Sequence, residues 1–141
     1  MEDAAIKSMK KILIIDDEPN VVFYLKTLFE DHHYVVLTAL DPDEGFKIAG
    51  EELPDLICLD IMMPRKSGVT LYKELKKNKG LKQIPVIIVS GVENAFSFKE
   101  PKFRQLISDK RIPEPLAFFE KPVDVHGLIN CLKTALGDSE S

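Results

Sequence analysis

The chain has 141 residues, of which 45% are hydrophobic and 30% charged, and it carries a formal net charge of −4 at pH 7. This length suits one domain, which would bury roughly two thirds of the surface of the unfolded chain. The mild acidity gives no reason to expect binding to nucleic acid or to an anionic membrane. No apolar run reaches the roughly 20 residues that span a bilayer, and the first ten residues lack the apolar core of a signal peptide. We therefore expect a soluble cytoplasmic protein.

The two cysteines, Cys58 and Cys131, have the sequence context expected of a cytoplasmic protein. Both lie in apolar runs, and their spacing does not match that of metal ligands. They are typical of small buried hydrophobes in a reducing compartment, although the sequence leaves a disulfide between them open.

The first half of the chain alternates apolar runs rich in β-branched residues with helical patterns. Residues 12–15 form a continuous apolar run, which predicts a strand buried on both faces. Pro19 suits a first helical turn, and the apolar residues after it recur on one face, which predicts a first helix. Residues 34–40 predict a second strand. Asp41 as a cap, followed by a first-turn proline and a third-position glutamate, indicates a second helix over 42–52.

The second half continues the same alternation. Residues 56–59 predict a third strand, and the apolar spacing within 67–78 predicts a third helix. Residues 86–89 predict a fourth strand, and the aromatic run 116–119 predicts a fifth. A last helix begins near Asp124, which is a suitable cap for it.

This order of elements predicts an α/β fold, a five-stranded parallel sheet with helices on both faces. Right-handed crossovers limit the topology to doubly wound forms, in which ligands bind at the carboxyl ends of the strands. Polar residues follow four of the five strands and would meet at that edge of the sheet. They are Asp16 and Asp17 after the first strand, Asp60 after the third, Ser90 after the fourth and Lys121 after the fifth.

Clustered carboxylates at one edge indicate a cation site, because like charges repel one another unless a cation holds them. Mg²⁺ prefers oxygen ligands and keeps several waters, so two carboxylates, a backbone carbonyl and waters would bind it. One carboxylate could then attack a phosphoryl donor and form an aspartyl phosphate. Lys121 would neutralise the phosphoryl oxygens, and Ser90 would donate a hydrogen bond to one of them. A single aspartate at a strand end is more often a cap or turn residue. The joint placement of these polar residues at four strand ends favours a site instead.

Four short motifs make the sequence resemble a response-regulator receiver domain over about residues 10–137. The motifs are residues 14–19 (Ile-Ile-Asp-Asp-Glu-Pro), 60–64 (Asp-Ile-Met-Met-Pro) through Gly68, 90–91 (Ser-Gly), and 118–122 (Phe-Phe-Glu-Lys-Pro). The resemblance implies a flavodoxin-like fold with the strand order 2-1-3-4-5. The residues outside it, 1–9 and 138–141, show no periodic pattern and are expected to be flexible tails.

The resemblance also implies a role for each acidic residue. Asp60 would be the phosphoacceptor. Asp17 and Asp60, with the backbone carbonyl of Met62, would bind Mg²⁺, and Asp16 would support the metal through water.

The remaining motif residues would form a switch around the phosphoryl group. Ser90 and Phe118 match the pair in which the hydroxyl moves toward the phosphoryl group and the aromatic ring turns inward. Gly91 fits the crowded position beside the phosphate, and a cis peptide bond before Pro122 would direct Lys121 into the site.

The implied function is a phosphorylation switch in a two-component phosphorelay, and not a conventional enzyme. A histidine kinase or phosphotransfer protein would donate to Asp60, and the output would be a downstream protein target, or a fused output domain if the chain is a fragment. Homodimerisation on phosphorylation stays open. One alternative is an aspartyl-phosphate hydrolase, but this would want an aspartate where Met62 stands. The other is a degenerate receiver that acts without phosphorylation, which the presence of every acidic residue and of Lys121 argues against.

The stretch 91–116 departs from the family because it is longer than expected. It holds Phe96, Phe98 and Phe103 among lysines and arginines, with prolines that interrupt any single long helix. We favour an elaborated fourth helix that packs its aromatic residues on the core, and a partner-binding surface is the alternative. RNA binding is disfavoured because the chain is acidic overall.

Overall fold

The computed structural model describes residues 9–61, 68–91 and 109–137, which contain one parallel sheet and four helices. The strands are β1 Lys11–Ile15, β2 Val35–Ala39, β3 Leu56–Leu59, β4 Val86–Ser90 and β5 Ala117–Glu120. The helices are α1 Pro19–Asp31, α2 Pro42–Glu52, α3 Gly68–Lys77 and α4 Val125–Leu136. The strand order is β2-β1-β3-β4-β5, which confirms the predicted fold class and topology.

The three central strands are buried almost completely, as their continuous apolar sequences predict. All residues of β3 and β4 are buried, and so are the last four residues of β1. The edge strands β2 and β5 are only partly covered. This contrast arises because a central strand in a doubly wound sheet has helices on both faces and a strand on each side.

Alternation along the strands divides the core into two layers. Leu13 and Ile15 of β1 point to the layer that contains the buried residues of α2 and α3. Ile12 and Ile14 point to the layer that contains those of α1 and α4. Helices therefore cover both faces of the sheet, as predicted.

Helix ends follow local sequence signals in most places. Pro19 occupies the first turn of α1. At α2, the Asp41 side chain accepts a hydrogen bond of 2.8 Å from the N–H of Glu44, and Glu44 accepts one of 3.1 Å from the N–H of Leu40. These two bonds form the predicted capping arrangement at the start of α2. The other end of α2 was not predictable in this way, because Leu53 adopts a left-handed conformation with a φ of 48° where glycine is the usual residue.

The predicted strands and the helices predicted outside the stretch 91–116 are present, with the stated bounds differing by one residue at most. Asp124 stands at the N-cap of α4, but its side chain makes no capping hydrogen bond. Both cysteines are free, and burial raises the pKa of Cys58 to about 12. None of the helices in the described ranges is long and apolar enough to cross a bilayer.

Only the ends of the long stretch 91–116 are described. Ile112 is buried against α3, and the hydroxyl of Tyr72 donates a hydrogen bond of 2.7 Å to the carbonyl of Pro113. These contacts attach the chain before β5 to the helix that follows β3. The predicted fourth helix, with Phe96, Phe98 and Phe103, falls outside the described residues, as do the two terminal tails apart from residue 9.

Candidate functional site

The register of the central strands places two aspartates side by side. Ile15, the last residue of β1, pairs with Leu59, the last residue of β3, so that Asp16 and Asp60 follow at the same level. The N–H of Asp60 donates to the carbonyl of Ile15 over 2.9 Å. The backbone pairing thus extends one residue beyond the strands. It places Asp16 and Asp60 side by side, so their carboxylates lie close together.

Three carboxylates form a compact cluster at this edge. Asp16, Asp17 and Asp60 each offer an oxygen, and these oxygens all lie within 4.8 Å of one another. Asp16 is 2% exposed and Asp60 is 4% exposed. Burial raises the pKa of Asp16 above its usual value, while hydrogen bonds from the N–H of Glu18 and from Lys121 act in the opposite direction. Oxygen ligands this close together suit a hard divalent cation such as Mg²⁺.

Lys121 brings a positive charge into the same cluster. Its Nζ lies 2.9 Å from Asp16 Oδ2, 2.9 Å from Glu18 Oε1 and 3.7 Å from Asp60 Oδ2. Burial by itself would lower the pKa of Lys121, but the hydrogen bonds to Glu18 and Asp16 and the nearby charge of Asp60 raise it above its usual value. The ammonium group is therefore charged throughout the physiological pH range.

Backbone contacts place Lys121 at the end of β4. The N–H of Lys121 donates to the carbonyl of Ser90 over 2.8 Å, and the peptide bond between Lys121 and Pro122 is cis. Ser90 is 4% exposed, and its hydroxyl oxygen has no hydrogen-bond partner in the parts of the chain that the structure describes. A buried hydroxyl without a partner is costly, so this oxygen keeps the capacity to form a hydrogen bond with a further group.

Phe118 and Gly91 lie near Ser90 along the chain and the sheet. Phe118 pairs with Ile88 across β4 and β5, and it is partly buried against the layer that contains α2 and α3. Gly91 directly follows Ser90 and is partly exposed. Gly91 is thus the sequence neighbour of Ser90, and Phe118 lies two positions before the residue that pairs with Ser90. Met62 falls outside the described residues, so the position of its carbonyl is not part of this geometry.

Gly68 shows why the third helix needs glycine at its start. Its N–H donates to the carbonyl of Ile61 over 3.0 Å. A Cβ on this residue would collide with the carbonyl of Asp60 and would lie 2.5 Å from the Cα of Ile61. Glycine therefore lets the start of α3 approach the backbone that carries Asp60.

Two acidic residues of the site lie within the quoted motifs, but no role was predicted for them from the sequence. Glu18 holds Lys121, although its side chain is 58% exposed. Glu120 lies opposite Ser90 in the register of β4 and β5, and its Oε2 is buried without a hydrogen-bond partner among the described residues. A signal existed for each, because Glu18 continues the acidic pair after β1 and Glu120 is the only charged residue of an otherwise apolar strand.

A small cavity of about 280 Å³ lies beside Lys121. It is lined by Asn20, Val21, Tyr24, Leu25, Lys121, Pro122 and Val123. Tyr24, one of the residues that line it, is 52% exposed, and Phe23, the preceding residue of α1, is 71% exposed. Apolar surface thus borders the acidic cluster on the side of α1.

The fold and this site define a class before any comparison is made. A parallel sheet in the order β2-β1-β3-β4-β5, with its polar residues at the carboxyl edge, belongs to the flavodoxin-like doubly wound class. Within that class, the family model of the response regulator receiver domain matches residues 12–104. The chain belongs to this family, whose members act as receiver domains in two-component signalling.

Individual relatives support the same assignment. The chain is 38% identical over 128 residues to Protein PilH of Pseudomonas aeruginosa, covering 91% of this chain and 98% of that protein. It is 38% identical over 87 residues to the alkaline phosphatase synthesis transcriptional regulatory protein PhoP of Bacillus subtilis, covering 62% of this chain and 35% of that protein. A crystal structure of a receiver domain protein from Clostridium thermocellum is 28% identical, with a TM-score of 0.74 and coverage of 92% of this chain and 96% of that chain.

The lengths of these relatives differ in an informative way. The chain spans about a third of PhoP and almost all of PilH. Receiver domains therefore occur both within longer proteins and as nearly entire short ones. The comparisons lend no support to either alternative, the degenerate receiver or the hydrolase, over a receiver of two-component signalling.

Proposed function

We propose that Asp60 accepts a phosphoryl group from a histidine kinase or phosphotransfer protein, and that this modification changes the binding of a partner protein. The observation that carries the proposal is the cluster of Asp16, Asp17 and Asp60 with Lys121 beside it. Asp60 lies at the end of the central strand β3 and is 4% exposed, so a phosphoryl group added there would place its charge among closely packed side chains. The chain would act in the cytoplasm as a signalling domain and not as a conventional enzyme.

The residues present fit Mg²⁺. Three carboxylate oxygens within 4.8 Å of one another can share a small hard cation, with water completing its preferred octahedron. Asp17 and Asp60 would be direct ligands together with the carbonyl of Met62, and Asp16 would act through water. When bound, the ion would supply positive charge to the oxygens of the transferring phosphoryl group.

The transfer itself exchanges one bond for another. A carboxylate oxygen of Asp60 bonds to phosphorus, the bond from phosphorus to the donor imidazole nitrogen breaks, and the electron pair of that bond stays on the nitrogen. The ammonium of Lys121, 3.7 Å from Asp60 Oδ2, is close enough to neutralise an oxygen of the new group. The free hydroxyl of Ser90 would donate a hydrogen bond to another.

Ser90 and Phe118 would carry the change to the surface. When the hydroxyl of Ser90 turns toward the phosphoryl group, space opens at the end of β4 that the ring of Phe118 can enter. A complete switch between two states needs about 5.5 kcal/mol of differential stabilisation, whereas a hydrogen bond contributes about 1 kcal/mol, or up to about 3 kcal/mol to a charged group. We therefore expect the active conformation to be partly populated before phosphorylation.

The phosphodonor would approach from the side of α1. Its phosphohistidine must reach Asp60, and the cavity beside Lys121 and the exposed ring of Tyr24 offer apolar contact area along that route. Exposed aromatic side chains are frequent anchors of protein interfaces. The readout partner is a downstream protein or a fused output domain, and a phosphorylation-dependent homodimer belongs to the same proposal.

The test is phosphorylation by a small donor. Incubation with acetyl phosphate and Mg²⁺ should give one acid-stable, base-labile phosphate per chain, and Asp60→Asn should abolish it. Asp31→Asn, an exposed aspartate at the far end of α1, is the matched control and should label like the wild type. Unchanged labelling of Asp60→Asn would overturn the assignment of Asp60.

A further inference from the structure

Glu18 occupies a position between the buried cluster and solvent. Its Oε1 accepts a hydrogen bond of 2.9 Å from Lys121 Nζ, although 58% of its side chain is exposed. The other close partner of that ammonium, Asp16, has a side chain that is only 3% exposed. Lys121 is therefore held from one side by a buried carboxylate and from the other by a carboxylate at the mouth of the site.

The two carboxylates differ in what else they can bind. Asp16 and Asp60 belong to the group of oxygens that can share a divalent cation, and Glu18 does not. A cation in that group would compete with Lys121 for both of its buried neighbours, because a carboxylate oxygen cannot hold two strong partners equally well. Among the residues that the structure describes, Glu18 is then the one close carboxylate partner that Lys121 keeps.

The distances also show which partners Lys121 binds before any phosphoryl group is present. Its ammonium is 2.9 Å from Glu18 Oε1 but 3.7 Å from Asp60 Oδ2, so it makes hydrogen bonds to its other neighbours and not to the acceptor. To neutralise a phosphoryl group on Asp60, it must give up or share the bond to Glu18.

We propose that Glu18 is a positioning residue that holds the ammonium of Lys121 at the mouth of the site until the phosphoryl group arrives on Asp60. This inference rests on the proposed function of Asp60. Glu18 stabilises the unphosphorylated state, because its hydrogen bond to Lys121 is lost or weakened when Lys121 turns to the phosphoryl group. It also shares the ammonium of Lys121 with Asp16, so that Lys121 binds the carboxylates of the cation cluster less strongly.

Glu18→Gln tests both consequences with a side chain of the same shape. At saturating Mg²⁺, the fraction phosphorylated at a fixed, limiting concentration of acetyl phosphate should rise by about two- to fivefold, the size expected for loss of one exposed ion pair. Mg²⁺ affinity, measured by calorimetry without any phosphodonor, should fall by about the same factor because Lys121 now competes more strongly for Asp16 and Asp60.

A matched control separates this role from a general effect of charge. Asp124 is an exposed carboxylate three residues beyond Lys121, and none of the described residues forms an ion pair with it. Asp124→Asn removes the same charge without touching Lys121 and should leave both measurements at the wild-type value. Equal shifts in Asp124→Asn and Glu18→Gln would contradict the proposal.

A second control uses Lys121 itself. In a Lys121→Gln background, Glu18→Gln should no longer change Mg²⁺ affinity, because its effect passes through the ammonium. A change in Mg²⁺ affinity that persists in this background would overturn the role of Glu18. So would unchanged phosphorylation and Mg²⁺ affinity in Glu18→Gln, if the wild type is labelled on Asp60. Failure of the wild type to label on Asp60 would instead contradict the proposed function, and the calorimetric comparison would still decide the role of Glu18.

Discussion

The two edges of the sheet use their buried polar groups differently. At the amino edge, polar side chains satisfy the backbone: Lys76 Nζ donates to the carbonyls of Lys82 and Ile84 over 3.1 and 2.7 Å, and Tyr72 donates to Pro113. Before β3, the carboxylate of Asp55 accepts from the N–H of Lys11 over 2.8 Å.

At the carboxyl edge the groups face one another instead. Three carboxylates have oxygens within 4.8 Å of one another. Lys121 forms ion pairs with two of them, Asp16 and Asp60, and with Glu18 outside the cluster. Ser90 and Glu120 have buried oxygen atoms with no partner in the described parts of the chain. The polar side chains of the amino edge thus stabilise the backbone, whereas the carboxyl edge keeps unused bonding capacity.

The two lysines express the same difference in their pKa values. Burial lowers the pKa of Lys76, whose partners are neutral carbonyls. Burial also opposes the charge of Lys121, but the hydrogen bonds to Glu18 and Asp16 outweigh it and raise the pKa. Lys76 therefore donates hydrogen bonds to neutral backbone carbonyls, whereas Lys121 supplies the positive charge that balances an acidic site.

Removal of Lys121 should have the largest effect on stability. Without Mg²⁺, Lys121→Met should lower the free energy of unfolding by about 2–3 kcal/mol, because the buried Asp16 and Asp60 lose their cation. Urea unfolding with and without millimolar Mg²⁺ measures this, and the ion should recover most of the loss. Equal losses in the presence and absence of Mg²⁺ would show that Lys121 is not the counter-charge of the cluster.

Tyr72→Phe tests the amino edge with a smaller expected loss. It removes the hydroxyl that donates to Pro113 and leaves a carbonyl without its partner, which costs about 1–2 kcal/mol. The loss in urea unfolding should be the same with and without Mg²⁺. Tyr24→Phe, which changes a half-exposed tyrosine in the same way, is the control and should unfold like the wild type. If the stability lost in Tyr72→Phe depended on Mg²⁺, the two edges would not act independently.

Lys76→Met should have the smallest effect. It gives up two hydrogen bonds to carbonyls and the contact of Nζ with the Tyr72 ring, 5.7 Å away, but keeps an apolar side chain of similar length, so about 1 kcal/mol is expected. The measurement is again urea unfolding, here beside Lys121→Met. If Mg²⁺ stabilised Lys76→Met as strongly as Lys121→Met, the contrast between the two lysines would be lost.

The fold was predictable because its signals are local and agree with one another. Apolar runs at 12–15, 56–59 and 86–89 are what strands buried on both faces require, and a parallel sheet necessarily gathers their carboxyl ends. The adjacency of Asp16 and Asp60 also needs β1 beside β3, an order that the resemblance to the receiver family implied. The roles of individual residues, including the phosphoacceptor Asp60, rest on the resemblance to the receiver family and stay predictions.

Other features depend on contacts that the sequence does not encode locally. The hydrogen bond from Lys121 to Glu18 joins residues 103 positions apart and depends on side-chain conformation. The contact of Tyr72 with Pro113 likewise links α3 to a stretch with no periodic pattern. The left-handed end of α2 at Leu53 carries no glycine to signal it. Such features arise from tertiary packing, which overrides local preference.

The most direct test of the central claim is to locate the phosphoryl group in the wild-type chain. After incubation with acetyl phosphate and Mg²⁺, borohydride reduces an aspartyl phosphate to homoserine, which peptide mass spectrometry can assign to one position. We expect homoserine at residue 60 and at no other aspartate. Homoserine at Asp16 or Asp17, or none at residue 60 in a protein that carries phosphate, would contradict the account.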